Sequence, residues 1–173
     1  MKQFLHGATL VAFLAFGGAA ASQTVADDDA GFMKQAAHNG HAEVVSSKLA
    51  QQKASSADVK AFAQRMVEDH TKTNAELEQI ATSKGIQLPK EPDAAQQAKM
   101  KALSGLSGAE FDKQYVEQMG VAAHEQTISL FQRGASNARD PQIKAFAAKT
   151  LPALQHHLEM ARALKAGKAS KAK

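Results

Sequence analysis

Three of the seven histidines in this chain occupy places where an apolar residue would serve. His70 follows Val59, Phe62 and Met66 and precedes Thr73, Leu77 and Ile80 at three- and four-residue steps. His124 shares a line with Val116, Gly120, Thr127 and Phe131, and His157 falls in the series Ile143, Phe146, Thr150, Leu154, Ala161 and Leu164. His38, His41 and His156 fall off these lines, and His6 lies in the first few residues. Glu43 is a fourth polar residue in an apolar row, with Phe32, Ala36 and Ala50. Three neutral imidazoles and a carboxylate meeting in a dry interior suit Zn²⁺, Fe²⁺, Mn²⁺ or Cu²⁺. Glu43, His70, His124 and His157 are therefore a candidate site for one divalent transition metal ion. The other reading is a satisfied polar core, in which each imidazole donates to Glu43 or to a threonine such as Thr127 or Thr150 and so fixes which helices face each other.

What is missing bounds the chemistry. A di-iron centre in a helical bundle needs a glutamate three residues before the histidine on two helices, and this chain has Val67 before His70 and Leu154 before His157. Met66, Met119 and Met160 are soft donors that copper accepts, but at helical spacing they read as core filler. Glu68 and Asp69 beside His70 are candidate partners for the site, although adjacent helical positions point apart and Glu68 fits a solvated face. The glycines form no phosphate-cradling pattern, and no serine, histidine and acid arrangement marks a nucleophile. The absence of cysteine excludes disulfides, thiolate ligands and a cysteine nucleophile. No residue is assigned a catalytic role, and a non-enzyme is the favoured expectation.

Four long helical segments must carry these residues. The first is expected over about 32–53, after the acidic lead Asp27-Asp28-Asp29, and it stops at Ser55-Ser56. Ser56 is a suitable N-cap for the second, which ends at Lys84-Gly85 with a cationic last turn and a glycine cap. Pro89 and Pro92 forbid a straight continuation, so a connection and a shorter helix over about 93–103 lead to the third long helix. Ser107 and Glu110 are spaced as a capping box at its start, and it ends near Gly134. Asp140-Pro141 opens the fourth as N-cap and first-turn proline, and Pro152 inside it is expected to kink it. No stretch alternates as a strand, so the class is all-α.

An internal repeat sets the topology. Val59-Lys60-Ala61-Phe62-Ala63 matches Ile143-Lys144-Ala145-Phe146-Ala147, and the segment from Leu49 to Ser55 matches that from Leu130 to Ser136. The chain reads as a helical hairpin used twice, joined by a longer crossover, which is a ferritin-like four-helix bundle; a plain up-and-down bundle is the alternative. In the repeat Glu43 falls opposite His124. At about 1.5 Å of rise per residue, Glu43 and His70 lie roughly 18 and 21 Å from their hairpin turn, and His124 and His157 roughly 18 and 25 Å from theirs. One layer can hold all four.

The 173 residues suit one domain. The opening MKQFLHGATLVAFLAFGGAAASQ runs from Lys2 through an apolar stretch to small residues, the order of a signal peptide over residues 1–21, with an alternative cut after Ala26. The bundle domain is then 27–166 and a basic flexible tail 167–173. After cleavage no transmembrane segment is expected, and the location is periplasmic or secreted. The net charge of +4 is mild and partly lies in the tail, Tyr115 is the only tyrosine and tryptophan is absent, so a nucleic-acid partner is not expected.

The stretches AAHNGHAEVV, KASSADVKAFAQRMVEDHTKTNAEL, AHEQTISLF and DPQIKAFAAKTLPALQHHLEMA together resemble a family of exported bacterial proteins catalogued as a domain of unknown function and often labelled "predicted outer membrane protein". The resemblance spans 32–164. It implies the ferritin-like bundle and no particular activity, and it is compatible with an accessory, envelope or stress-associated role alongside a second copy or an envelope protein. The outer-membrane label conflicts with the residues, which supply no alternating strands for a barrel.

Overall fold

The computed structural model describes residues 26–167, so the expected signal peptide and most of the tail lie outside the described residues. Among the described residues the fold is all-α. Helices α1 (Asp27–Lys53) and α2 (Ala57–Ser83) form the first hairpin, and α3 (Ala94–Ser104) lies in the crossover. Then α4 (Gly108–Tyr115), a π-helical segment (Val116–Ala123) and α5 (His124–Asn137) run in succession, and α6 (Pro141–Lys165) turns back along them. The two hairpins pack with α2 beside α6 and α1 beside α5.

The local chemistry explains most boundaries. Ser56 accepts the Val59 amide, Asp93 and Gln96 form a reciprocal capping box, and Asp140 accepts the amides of Gln142 and Ile143 ahead of Pro141. Gly85 adopts a left-handed φ of 68° where α2 stops. Pro152 is accommodated on the exposed side of α6. Helix α1 starts at Asp27 rather than near Phe32, because the three aspartates form its first turn, where carboxylates meet the positive end of the helix dipole. The box expected of Ser107 and Glu110 does not form. Gly108 takes a left-handed φ of 62°, Ser107 makes no side-chain cap, and Glu110 instead accepts from Gln114.

The hairpins hold each other's turns. Asp112 on α4 accepts the amides of Ser55 and Ser56 in the turn between α1 and α2. Asp29 on α1 in the same way accepts the amides of Arg139 and Asp140 in the turn between α5 and α6, at 3.1 and 2.8 Å. This reciprocity gives the sequence repeat a physical counterpart: each first helix carries, near its start, the carboxylate that caps the other hairpin.

The core is divided. One apolar cluster gathers Phe32, Met33, Leu77, Ile80, Phe131, Ile143, Phe146 and Leu154, and the other gathers Val59, Phe62, Met66, Phe111, Tyr115 and Met119. Along each long helix the chain passes from one cluster to the other within about a turn of a buried polar residue, namely Glu43, His70, His124 or His157. The layer inferred from helical rise is present as a polar partition between two apolar halves.

Asp29 is only 2 % exposed and serves two backbone donors. Asp29→Ala should lower unfolding stability by about 2–3 kcal/mol in urea titrations, since it removes a buried carboxylate that accepts from two partly buried amides. Exposed Asp28→Ala should cost less than about 0.5 kcal/mol.

Candidate metal centre

His70 on α2, His124 at the start of α5 and His157 on α6 form a nearly equilateral triangle, with ring centroids 5.4, 5.6 and 5.7 Å apart. One nitrogen from each ring lies within 4.8 Å of its counterparts. Three nitrogens bound tetrahedrally to zinc stand about 3.4 Å apart, given metal–nitrogen bonds near 2.1 Å. The rings therefore need to close by at most about 1.4 Å.

Two of the imidazoles have their orientation fixed from outside the triangle. The His124 Nδ1–H donates to the Met119 carbonyl at 3.0 Å, which leaves the lone pair on Nε2. The His157 Nε2–H donates to Asp69 Oδ2 at 3.0 Å, which leaves the lone pair on Nδ1. A backbone carbonyl or a carboxylate on the far ring nitrogen is the usual support of a metal-ligating histidine. Arg65 in turn donates to Asp69 at 3.0 Å. Burial would raise the Asp69 pKa, but the hydrogen bonds from His157 and Arg65 outweigh it and hold this carboxylate below its ordinary range.

Each of the four residues carries one buried atom without a partner. The buried side-chain atoms lacking a hydrogen bond among the described residues are His70 Nε2, His124 Nε2, His157 Nδ1 and Glu43 Oε2, one on each candidate residue. Native cores seldom leave such groups unpaired. The threonine pairing considered from sequence is not made: Thr127 accepts from Asn39, and Thr150 donates to the Phe146 carbonyl. The sulfurs of Met66 and Met119 lie in the apolar cluster, and the contribution of Met119 to the site is its carbonyl.

Glu43 lies beside the trio rather than within it. Its Oε1 is 3.6 Å from His124 Nδ1, whose proton goes to Met119. Burial pushes the Glu43 carboxyl up to about 8, so at pH 7 it is protonated and this approach is no ion pair. Burial, and then repulsion from His157, pushes His124 down to about 4. His70 is held well below its ordinary value by burial and by its two neighbouring rings, and His157 is lowered by burial against the opposing pull of Asp69. At neutral pH all three rings are uncharged, the form in which imidazole binds metal.

Of two supports of the site, Asp69 was expected from the sequence only as a neighbour of His70, and the π-helical segment was not expected. Asp69 sits next to His70 but faces α6, so its partner is His157, 88 residues away. The π-helical segment places the Met119 carbonyl five residues before His124, within reach of the ring; such segments recur at functional sites. Gly120 was its one sequence signal. A Cβ there would stand 3.0 Å from the Ala161 Cβ, so a side chain would press the segment a few tenths of an ångström away from α6.

Fold and site together define an all-α protein whose core is crossed by a buried three-histidine cluster with an adjoining carboxyl. The chain belongs to the family described as a domain of unknown function (DUF4142), which matches residues 15–164. No curated protein and no solved structure matches the chain.

The opposed shifts shape the pH dependence of the metal-free protein. Between about pH 4 and the ordinary histidine value of 6.5, the unfolded chain binds protons that the buried rings refuse, so stability falls as pH drops through this window. Between the ordinary glutamate value of 4.5 and about 8, the folded chain holds a proton on Glu43 that the unfolded chain releases, so this term falls as pH rises. Three histidines outweigh one glutamate below 6.5, and Glu43 acts alone above it. Urea midpoints measured with a chelator present should peak near pH 6.5, and Glu43→Gln should abolish the decline on the alkaline side.

Proposed function

We propose that the chain is an exported, ferritin-like four-helix-bundle protein that binds one divalent transition metal ion through His70, His124 and His157, with Glu43 completing or exchanging with the fourth position. One observation carries this reading: four buried atoms without partners, on the four residues whose types are metal ligands. Three imidazoles and no thiolate suit Zn²⁺ and Cu²⁺ best and admit Fe²⁺ and Mn²⁺. The ion would act as a Lewis acid or a carried cargo. The residues of this chain supply neutral donors, orient them through Met119 and Asp69, and exclude bulk water. The paired hairpins and the crossover helix support the ferritin-like topology, and the signal-like opening supports a periplasmic or secreted location.

A second reading is favoured by the partition of the core. A polar layer between two apolar clusters sets the register of four helices, which suits a metal-free accessory protein working with an envelope partner or a second copy.

Metal analysis separates the two readings. Mature protein purified without a tag should carry, or take up, about one zinc or copper per chain, with a raised melting temperature. His70→Ala combined with His124→Ala should lose it, and Asp69→Ala should weaken affinity by about 10–100-fold through its hold on His157. A chain that retains no metal and shows no thermal shift with Zn²⁺, Cu²⁺ or Fe²⁺ is the metal-free accessory protein.

A further inference from the structure

Between α1, α3 and the chain running from the π segment into α5 lies a cavity of about 30 Å³. Its wall mixes Ala42, Met119 and Ala123 with the polar side chains of Asn39, Gln96 and Gln118. Lys99 and Gln126 are exposed, while Glu43 on the same wall is 3 % exposed, so the cavity runs from surface to core. A second cavity of about 20 Å³ shares Asn39, Thr127 and Glu43 with the first and adds His70. A buried water needs about 10–15 Å³ and two or more polar neighbours, and each cavity meets both conditions. Glu43 thus stands between a polar gap and the histidine cluster, with its Oε2 unpartnered.

The gap is spanned by a short latch. Gln96 on α3 donates to Asn39 Oδ1 at 2.8 Å, and Asn39 on α1 donates to Thr127 Oγ1 on α5 at 3.1 Å. The crossover is also tied to α1 by the contact of His38 Nδ1 with the Glu91 carbonyl at 2.7 Å. Parting the first bond requires the shift of the Gln96 side chain, whose Oε1 also accepts the Asp93 amide in the α3 capping box.

We propose that a divalent transition metal ion reaches the buried histidines through this gap under α3, exchanging its water for Asn39, Thr127 and then Glu43, with the Gln96–Asn39 bond as the gate. The inference rests on the reading of the histidine cluster as a metal site and adds how that site is loaded. Lys99 is the charged side chain at the mouth, and it opposes the approach of a cation.

Stopped-flow association of Zn²⁺ with the untagged mature protein, followed by competition with a chromophoric chelator, tests the route. Lys99→Glu should raise the association rate at least about threefold at low ionic strength, with the gain shrinking in 1 M salt. Lys149→Glu makes the same charge change at an exposed position that bridges to Glu76 across the opposite, α2–α6 face, and should leave the rate unchanged. Gln96→Ala should speed association and dissociation by the same factor, leaving affinity as it was. Equal acceleration by Lys149→Glu, or no response to Lys99→Glu and Gln96→Ala in a chain that binds zinc, would overturn the route while leaving the site intact. A wild-type chain that takes up no zinc overturns route and site together.

Discussion

The arrangement of the whole core depends on a polar layer that its surroundings only half satisfy. Burying a polar group without a partner costs free energy, yet His70, His124, His157 and Glu43 all lie between two clusters that could have met directly. Helix register is constrained as a result. A slide of any one helix by a turn would carry its polar residue into an apolar cluster and draw an apolar residue into the layer. The reciprocal caps act on the same variable, since Asp29 and Asp112 fix the distance from each hairpin turn to the start of the opposite hairpin. With the turns held at both ends, the residues roughly halfway along each helix arrive at one level.

The layer is satisfied on its outer side and open on its inner side, and that asymmetry gives it chemical direction. Met119 and Asp69 each accept the proton on the far nitrogen of a ring, which selects the tautomer whose remaining lone pair has no partner. A merely structural histidine also gains from such a bond, but its second buried nitrogen would then need a partner as well. The π-helical segment belongs to the same design. A regular helix commits each carbonyl to an amide four residues on, whereas the altered pairing over 116–123 lets the Met119 oxygen serve the ring of His124.

Much of this was legible in the residues and some was not, for separable reasons. Apolar stripes interrupted by single polar residues, the Ser56 and Asp140 caps and the repeated VKAFA and IKAFA segments are local signals, and they gave the helices, the hairpins and the level of the layer. Glu43 was placed at the right level but beside the trio, because helical rise fixes height and not the azimuth at which a side chain leaves the helix. Asp69, Asp29 and Asp112 act across 88, 110 and 57 residues, and no periodicity within one helix encodes such partners. Ser107 and Glu110 had the right spacing, but the left-handed Gly108 between them changes the backbone that a capping box needs.

Charge balance ties the layer to the proposed ion. Without an ion the triangle is neutral, Glu43 keeps its proton, and the Asp69 carboxylate is paired with Arg65. A dipositive ion set among three neutral rings would bring charge into a region of low dielectric, where uncompensated charge is costly. Glu43 is the buried group able to answer it, by releasing the proton that burial makes it hold and offering the oxygen that now lacks a partner. Asp69, on the far side of His157, is already paired with Arg65, so Glu43 is the carboxyl left to answer the ion. Val67 and Leu154 stand where a di-iron site would need carboxylates, so Glu43 is the buried carboxyl of the layer, which fits the proposed single ion better than two.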